Sequence, residues 1–475
     1  MSVKILMTDL TQNHVNIMKR MLILEIKKPF IPGISKWFHS IKKEYVSVFI
    51  VDNDVIYLPY SFACTLFKNR FNLDINYHTT EISFIGELRP NQLEMVSSAL
   101  NIFLKNGTIS LTADTGAGKT VMSIYMSIWT KVMIGVIFHT KIFIKQWTTA
   151  FQEFSNAKIM RINEDGKIEY LYQFIDQFGQ FIFPDVFIAL YTQFIKIPND
   201  IIDKIGCLII DETHLMCTAG KVDSLLKCKP KYIIGCSATP ERDDQLELIG
   251  NLIYGIDQFY LKNIKPLTVI KVITGCLPRI ETNINGNTKW DVFVKSLYED
   301  DRRTNIIMDI IKGNYIKHKI VVSAARVIYA ENLSMLIRIN GMESDYITDK
   351  KNEYYDSPNL TLVGEYQKIG AGFDEKLLAI NYSGRRSDIL ILTHSVKKKS
   401  LIRQLVGRVM RADYPFCYDL VDDWHICNSH WNKRLMYYNE IGAKIITCDL
   451  REHVPLNTVD TTLNFILNSM NKMNI

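Results

Sequence analysis

The sequence predicts an α/β protein of two tandem units, each a parallel sheet wrapped by helices, with a small N-terminal α+β module ahead of them. Three observations carry this expectation: from about residue 100 short β-branched runs alternate with amphipathic stretches, the runs fall into two series, and polar residues begin where each run ends. At roughly 150 residues per compact unit, 475 residues suffice for about three.

The first series of strands is TISLT (108–112), VMIGVIF (132–138), VFIAL (186–190), CLII (207–210) and YIIGC (232–236). The second is KIVVS (319–323), LTLVGE (360–365), DILIL (388–392) and YDLV (418–421). Open parallel sheets bind ligands at the carboxyl ends of their strands, so the residues after each run are where chemistry is expected. Between the series, residues 257–300 connect the units, and Asn285-Gly286 favours a tight hairpin turn and hence a small ribbon. Residues 1–80 lack the later rhythm, and YVSVFIVDNDVIYLPY offers two β-rich runs about an Asn-Asp turn, the basis for a separate module. The end of the chain reads as a polar, Asn-rich, helix-like tail. The expected boundaries are 1–80, 81–256, 257–300, 301–440 and 441–475.

Hydrophobic residues at 47% and charged residues at 22% exclude a wholly disordered chain or a fibre. The net charge of +6 permits a polyanionic partner without demanding one. The nine cysteines form no CxxC pair and no Cys/His quartet at zinc spacing, so they read as reduced thiols inside a cell. The start brings Asp9 and other polar residues before an apolar signal core develops, and no run approaches the ~18 residues needed to span a bilayer. The expectation is a soluble cytoplasmic protein with no membrane partner.

The strand TISLT runs into ADTGAGKT (113–120) and then VMSIYMSIW, where Val121, Ile124, Tyr125 and Ile128 share a helical face. Strand, glycine loop and helix in this order make a phosphate cradle. Backbone N–H groups of Thr115, Gly116, Ala117 and Gly118 converge on phosphate oxygens, the helix N-terminus adds its dipole, Lys119 reaches the β/γ oxygens, and the Thr120 hydroxyl suits Mg²⁺. CLIIDETH then puts Asp211 and Glu212 at a strand end. The first carboxylate can hold Mg²⁺, mostly through water, and the second can orient and deprotonate the attacking water. Alone, such a pair could equally cap a helix; the phosphate loop upstream gives it meaning. His214 is a candidate to couple the site to the next domain, or a structural hydrogen-bonder. In the second unit QLVGRVMR (404–411) sets Arg408 and Arg411 three apart on a helix, so either can serve as an arginine finger, with Gln404 and Gly407 completing the pattern.

Over residues 86–425 this ordered set resembles the DExH-type superfamily 2 helicases and translocases. LRPNQ (88–92) resembles the adenine-side motif, which implies nucleotide contacts from Arg89 and Gln92. ADTGAGKT resembles motif I, FHTKIFIKQW (138–147) motif Ia, DETH motif II, SATPERDD (237–244) motif III with an extension, GEYQKIGAGFD (364–374) motif V, and QLVGRVMR motif VI. The resemblance implies two RecA-like lobes with ATP and Mg²⁺ between them. It also implies a strand bearing Ser237, Ala238 and Thr239 between the motif I and motif II strands, coupling with His214 to the γ-phosphate. Thr140, Lys141, Gln146 and Trp147, with Tyr191, Thr192 and Gln193, are the implied nucleic-acid contacts of the first lobe; Gln367 and Lys368 are those of the second, and Asp374 approaches the ribose or the partner lobe. Contacts to phosphates give little sequence preference and strong salt dependence.

LRPxQ, QW and SATPxRxD together resemble the branch holding the XPB-type, RecG-type and UvsW-type enzymes. The compact length and YDLVDDWHICNSHWNKRLMYY after motif VI are similar to helicases of bacteriophages and large DNA viruses. The implied activity is an ATP-dependent DNA helicase or translocase that unwinds or branch-migrates forks and Holliday junctions in recombination, repair or replication. DNA rather than RNA is the implied partner, bound without sequence preference and gripped also by residues 1–80. Two alternatives stay open: a viral transcript-release helicase, and the motor of a restriction-type nuclease, for which Asp9 with Glu25, Ile26 and Lys27 faintly mimics a D…ExK metal site.

Overall fold

The computed structural model describes residues 2–26, 44–68, 75–113, 116–194, 196–237, 246–255, 257–261, 265–284, 286–370 and 373–451. The chain divides into two units, Met1–Lys262 and Asn263–Ile475.

In the first unit an eight-stranded sheet runs in the order Gln258–Leu261, Thr108–Ala113, Tyr232–Ser237, Cys207–Ile210, Ile134–Phe138, Val186–Leu190, Ile159–Ile162, Ile168–Tyr170. All neighbours are parallel except the final hairpin. The central strands are buried along their whole length, which is why they read as continuous apolar runs and not as alternating ones. The Tyr232–Ser237 strand lies between the phosphate-loop strand and the Asp211 strand, pairing Ser237 with Thr112 and Gly235 with Ile210. The carboxyl ends of all three strands therefore meet along one edge of the sheet.

The N-terminal residues form a three-stranded antiparallel sheet, Ser2–Leu6, Val55–Pro59 and Ile50–Asp52, turning at Asn53, whose φ is 51°. This piece does not stand apart. Val3, Ile5, Leu22, Ile56, Leu58 and Tyr60 belong to the same buried cluster as Met133, Ile137, Phe187 and Leu208 of the large sheet. The Ser2 N–H donates to the Cys228 carbonyl at 3.2 Å. The segment expected as a separate module thus shares a core with the nucleotide lobe, because periodicity reports an apolar face without saying what covers it.

The second unit holds a seven-stranded, wholly parallel sheet in the order Ser344–Ile347, Thr361–Glu365, Ile320–Ala324, Ile389–Leu392, Phe416–Val421, Thr268–Ile273, Lys444–Asp449. Residues 257–300 are accordingly more than a connector: they give one strand to each sheet. The ribbon is present, with Thr282 bridged to Thr288 and Gly286 at φ 75°; Asn285 lies outside the described residues. The expected tail starts with the edge strand Lys444–Asp449, and residues 452–475 lie outside the described residues. Among the described residues no helix is long and apolar enough to cross a membrane.

Candidate active site

The Thr108–Ala113 strand leads into the loop, and helix Lys119–Ile128 starts directly after Gly118. Gly116 and Gly118 take φ of 83° and 96°, a region a side chain disfavours. At Gly118 a second constraint applies, since a Cβ there would stand 2.0 Å from Gln92 Nε2. Gln92 is buried; its Nε2–H donates to the Ala117 carbonyl at 2.9 Å and its Oε1 accepts the Arg89 N–H at 3.0 Å. Gln92 thus fastens the loop to the start of helix Pro90–Asn106, and Arg89 meets it through its backbone N–H. Lys119 and Thr120 sit half-buried in the first turn of the following helix, and Thr115 lies outside the described residues.

The Cys207–Ile210 strand delivers Asp211, buried and near the Lys119 charge. Its Oδ2 accepts the Trp147 indole N–H at 2.9 Å and its Oδ1 the Glu212 N–H at 2.9 Å. Burial first, and the Glu212 charge second, push the Asp211 carboxyl above its usual range, while Lys119, the indole and the amide pull it back. Glu212 takes φ 49° and ψ 57°, a left-handed conformation that costs on the order of 1–3 kcal/mol for a residue with a side chain. Its Oε2 is buried with no hydrogen-bond partner among the described residues, 3.4 Å from His214 Nδ1. A buried carboxylate oxygen calls for a hydrogen-bond donor, and a water molecule can be that donor. The Thr120 hydroxyl and the Asp211 carboxylate are hard oxygen donors of the kind Mg²⁺ prefers, so the chemistry of these two residues fits that ion. His214 Nδ1 stands 3.2 Å from Ser237 Oγ, joining the Asp211 strand end to its neighbour; Ala238 and Thr239 lie outside the described residues.

In the second unit, helix Lys399–Val409 bears Gln404 and Arg408, and Arg411 follows it. The two arginines do different things. Arg408 is buried and gives its guanidinium to backbone carbonyls, Nε to Ile369 and Nη1 to Phe373 at 2.8 Å each and Nη2 to Gly370. Arg411 donates Nη1 to Asp374 Oδ2 at 2.7 Å, and Arg386, not singled out from the sequence, reaches Asp374 Oδ1 at 3.2 Å. Burial would raise the Asp374 carboxyl, but Arg411 and then Arg386 outweigh it and hold the carboxyl below its usual range. Gln404 is half-buried, its Oε1 3.5 Å from where a Cβ on Gly370 would stand.

Residues 85–242 match the family described as Type III restriction enzyme, res subunit. The protein 161L of Invertebrate iridescent virus 6, which bears a helicase name, is 25% identical over 422 residues, covering 82% of this chain and 89% of its own. The chain is a superfamily 2 helicase. The transcript termination protein A18 of Yaba-like disease virus is 22% identical to this helicase over 431 residues, covering 82% and 85% of the two chains. The structure titled S. cerevisiae Dbp5 bound to RNA and ADP BeF3 matches the helicase's fold with a TM-score of 0.50 at 11% identity, over 81% of this chain and 98% of that one. The two parallel sheets are thus tandem RecA-like lobes, and the helicase is an ATP-driven enzyme that acts on nucleic acid.

Of the helicase's expected nucleic-acid contacts, Trp147 is corrected. It is 1% exposed on the inner face of helix Ile142–Phe154 with Phe143 and Phe151, and its N–H is given to Asp211; no face remains for a base. Lys141 and Thr192 are exposed, Thr140, Gln146 and Gln193 half-buried, and Tyr191 buried. Lys141 Nζ donates to the Glu164 carbonyl at 2.9 Å. Gln367 is exposed and donates to the Tyr366 hydroxyl at 2.8 Å, and Lys368 bonds Asn352. Asp9 ends a short 3-10 turn and Glu25 a short strand, and Lys27 lies outside the described residues. Among the described residues no cluster of three or more His, Cys, Asp or Glu is placed to hold a metal.

Proposed function

We propose that this helicase is an ATP-dependent DNA translocase that remodels forked and four-way junctions. The observation that carries its engine is Glu212, held left-handed beside Asp211 with a buried Oε2 that has no hydrogen-bond partner among the described residues. Glu212 accepts the proton of the attacking water; Lys119 and the loop N–H groups hold the γ-phosphoryl oxygens; and Thr120 and Asp211 hold Mg²⁺, which supplies charge neutralisation at the phosphates. His214 passes the state of Glu212 to Ser237 through their 3.2 Å contact. Arg411 supplies cationic charge to the transition state, with Gln404 of the same motif VI contributing to the site, and Asp374 serves as its resting partner. Thr140, Lys141, Gln146, Thr192, Gln367 and Lys368 bind backbone phosphates, so affinity falls steeply with salt whatever the sequence. We place the work in the cytoplasm of a host cell.

The choice of branched DNA is supported by LRPNQ, QW and SATPERDD occurring together. A second reading, transcript release, is favoured by the likeness to a transcript termination protein over 82% of the chain. ATPase stimulation compared across single-stranded, duplex, forked and four-way DNA and RNA tests the choice, followed by junction migration and by release of RNA from a stalled transcription complex. The expected result is greatest stimulation and movement with forked and four-way DNA. Stimulation by RNA above DNA, or transcript release without junction migration, overturns it. Glu212→Gln is expected to bind ATP and not turn it over; normal turnover removes Glu212 from the base role.

A further inference from the structure

We propose that Arg434 is a positioning residue for ATP hydrolysis, fixing the segment that seats the motif VI helix. The inference rests on the reading of Arg411 as a residue of the hydrolytic site.

Helix His425–Glu440 buries Cys427, His430, Trp431, Arg434, Tyr437 and Tyr438, a spacing of three and four that places them on one face. A helix needing only to pack would put hydrophobes at the centre of that face. This one puts a guanidinium there, 1% exposed, against the fully buried Asp419. Arg434 Nε and Nη2 grip the two Asp419 oxygens at 2.7 and 2.8 Å, and Tyr438 OH donates to Oδ2 at 2.8 Å. A buried pair of this kind is often no more stabilising than apolar residues of the same volume, so its use has to be sought in what else it orients.

What it orients is the chain entering motif VI. The remaining edge of the guanidinium, Nη1, donates to the Val396 carbonyl at 2.7 Å. Val396 lies between strand Ile389–Leu392 and helix Lys399–Val409. From the other side buried Arg303, held by Asp422 at 2.8 Å, donates Nη2 to the Thr393 carbonyl at 2.7 Å. Further contacts come from the Arg434 helix itself: His430 Nδ1 lies 2.9 Å from Ser395 Oγ, and Glu440 takes Lys399 Nζ at 2.6 Å and Arg403 Nη2 at 3.2 Å. The segment is thus pinned by its backbone at two points, and the helix that follows runs from Lys399 to the turn that bears Arg411. A shift at Val396 travels along that helix to the guanidinium at its far end. Only a planar fork with donors on separate edges can hold both Asp419 oxygens and a carbonyl at once; an ammonium cannot keep that geometry.

The test uses the full chain and two variants. Arg434→Lys keeps the charge and loses the fork, and Arg434→Met with Asp419→Leu removes both charges so that neither is stranded. For each folded variant, kcat and KM for ATP are measured, with the affinities for ATP and for ADP plus aluminium fluoride as a transition-state mimic. The expected result is a fall in kcat of about tenfold to a hundredfold, since misplacement on the ångström scale costs about that much. KM and ATP affinity should stay within about twofold, and affinity for the mimic should fall in step with kcat. Met436→Ala, on the exposed face of the same helix, should change none of these. A folded Arg434→Lys or double variant with wild-type kcat, or with ATP and mimic affinities falling equally, overturns the proposal. Arg411→Ala separates the two readings. Wild-type turnover in that variant removes the hydrolytic role itself, whereas lost turnover there beside an unaffected Arg434→Lys removes only the clamp.

Discussion

Replacing Trp147 with phenylalanine isolates the link between helix Ile142–Phe154 and the carboxylates proposed to be catalytic. The indole N–H meets Asp211 Oδ2 at 2.9 Å with both groups shut away from solvent. Phenylalanine keeps a ring beside Phe151 and loses the donor. A hydrogen bond to a charged acceptor contributes about 1.5–3 kcal/mol, and losing it disfavours the ionised form of Asp211 by about that amount. At about 1.4 kcal/mol per pH unit, the Asp211 titration should move up by about one to two units. Burial and Glu212 already push this carboxyl upward, so the loss adds in the same direction. Ionised Asp211 is the form that would hold Mg²⁺ in the proposed site; the acid limb of ATPase activity should therefore move to higher pH, the Mg²⁺ requirement should rise near neutrality, and activity should recover in alkali. The stability effect has its own sign. A carboxyl raised in the folded state contributes stability below its unfolded pKa and loses that contribution as pH rises through the folded value, a trend the variant should exaggerate. The assay is kcat/KM for ATP against pH at several Mg²⁺ concentrations, with thermal melts for folding. A folded Trp147→Phe variant with an unmoved acid limb and unaltered Mg²⁺ dependence would refute the reasoning.

Gly118→Ala should abolish measurable nucleotide binding in a folded protein, because the new Cβ meets both a φ of 96° and the Gln92 amide; adding Gln92→Ala should restore only part of the binding, since the strain remains. Arg411→Ala should keep near-normal ATP affinity and lose on the order of 10³ in kcat, whereas Arg408→Ala should lower the melting temperature as well, since it strands buried carbonyls at about 1–3 kcal/mol each. Asp374, held below its usual range by Arg411 and Arg386, contributes stability above its unfolded pKa that is lost as pH falls through its folded value. Asp374→Asn should flatten that acid-side decline in unfolding free energy measured by denaturant titration.

The strand, glycine loop and helix of the candidate phosphate site were legible because such a turn needs particular residue types at fixed spacing along one stretch of chain. Gly116, Gly118, Lys119 and the Asp211-Glu212 pair fall where strand, loop and helix order put them. Contacts between distant stretches left no such trace. Nothing local marks Trp147 as the partner of Asp211, and an aromatic beside a glutamine on a helix reads equally well as stacking or packing. Arg386 resembles any surface arginine until the fold brings it to Asp374. Strand Thr268–Ile273 was missed because Lys271 interrupts its apolar run, although Val269, Ile270 and Val272 are buried. Lys444–Asp449 was missed for a related reason: an edge strand buries only part of itself, and here a polar, Asn-rich stretch follows.

The motif VI arginines show why spacing cannot assign roles within a motif. Arg408 and Arg411 are three apart and chemically identical, yet their surroundings give them unequal freedom. For Arg408 to reach a phosphate it must abandon the carbonyls of Ile369, Gly370 and Phe373, none of which has a second cation to take its place among the described hydrogen bonds. Arg411 faces a carboxylate that Arg386 also contacts, so exchanging Asp374 for a phosphate swaps one anion for another and leaves the acid paired. The same substitution of partners that is expensive for one arginine is nearly balanced for the other. A finger must move between resting and active partners in every cycle, so the residue with the smaller difference between them is the better candidate.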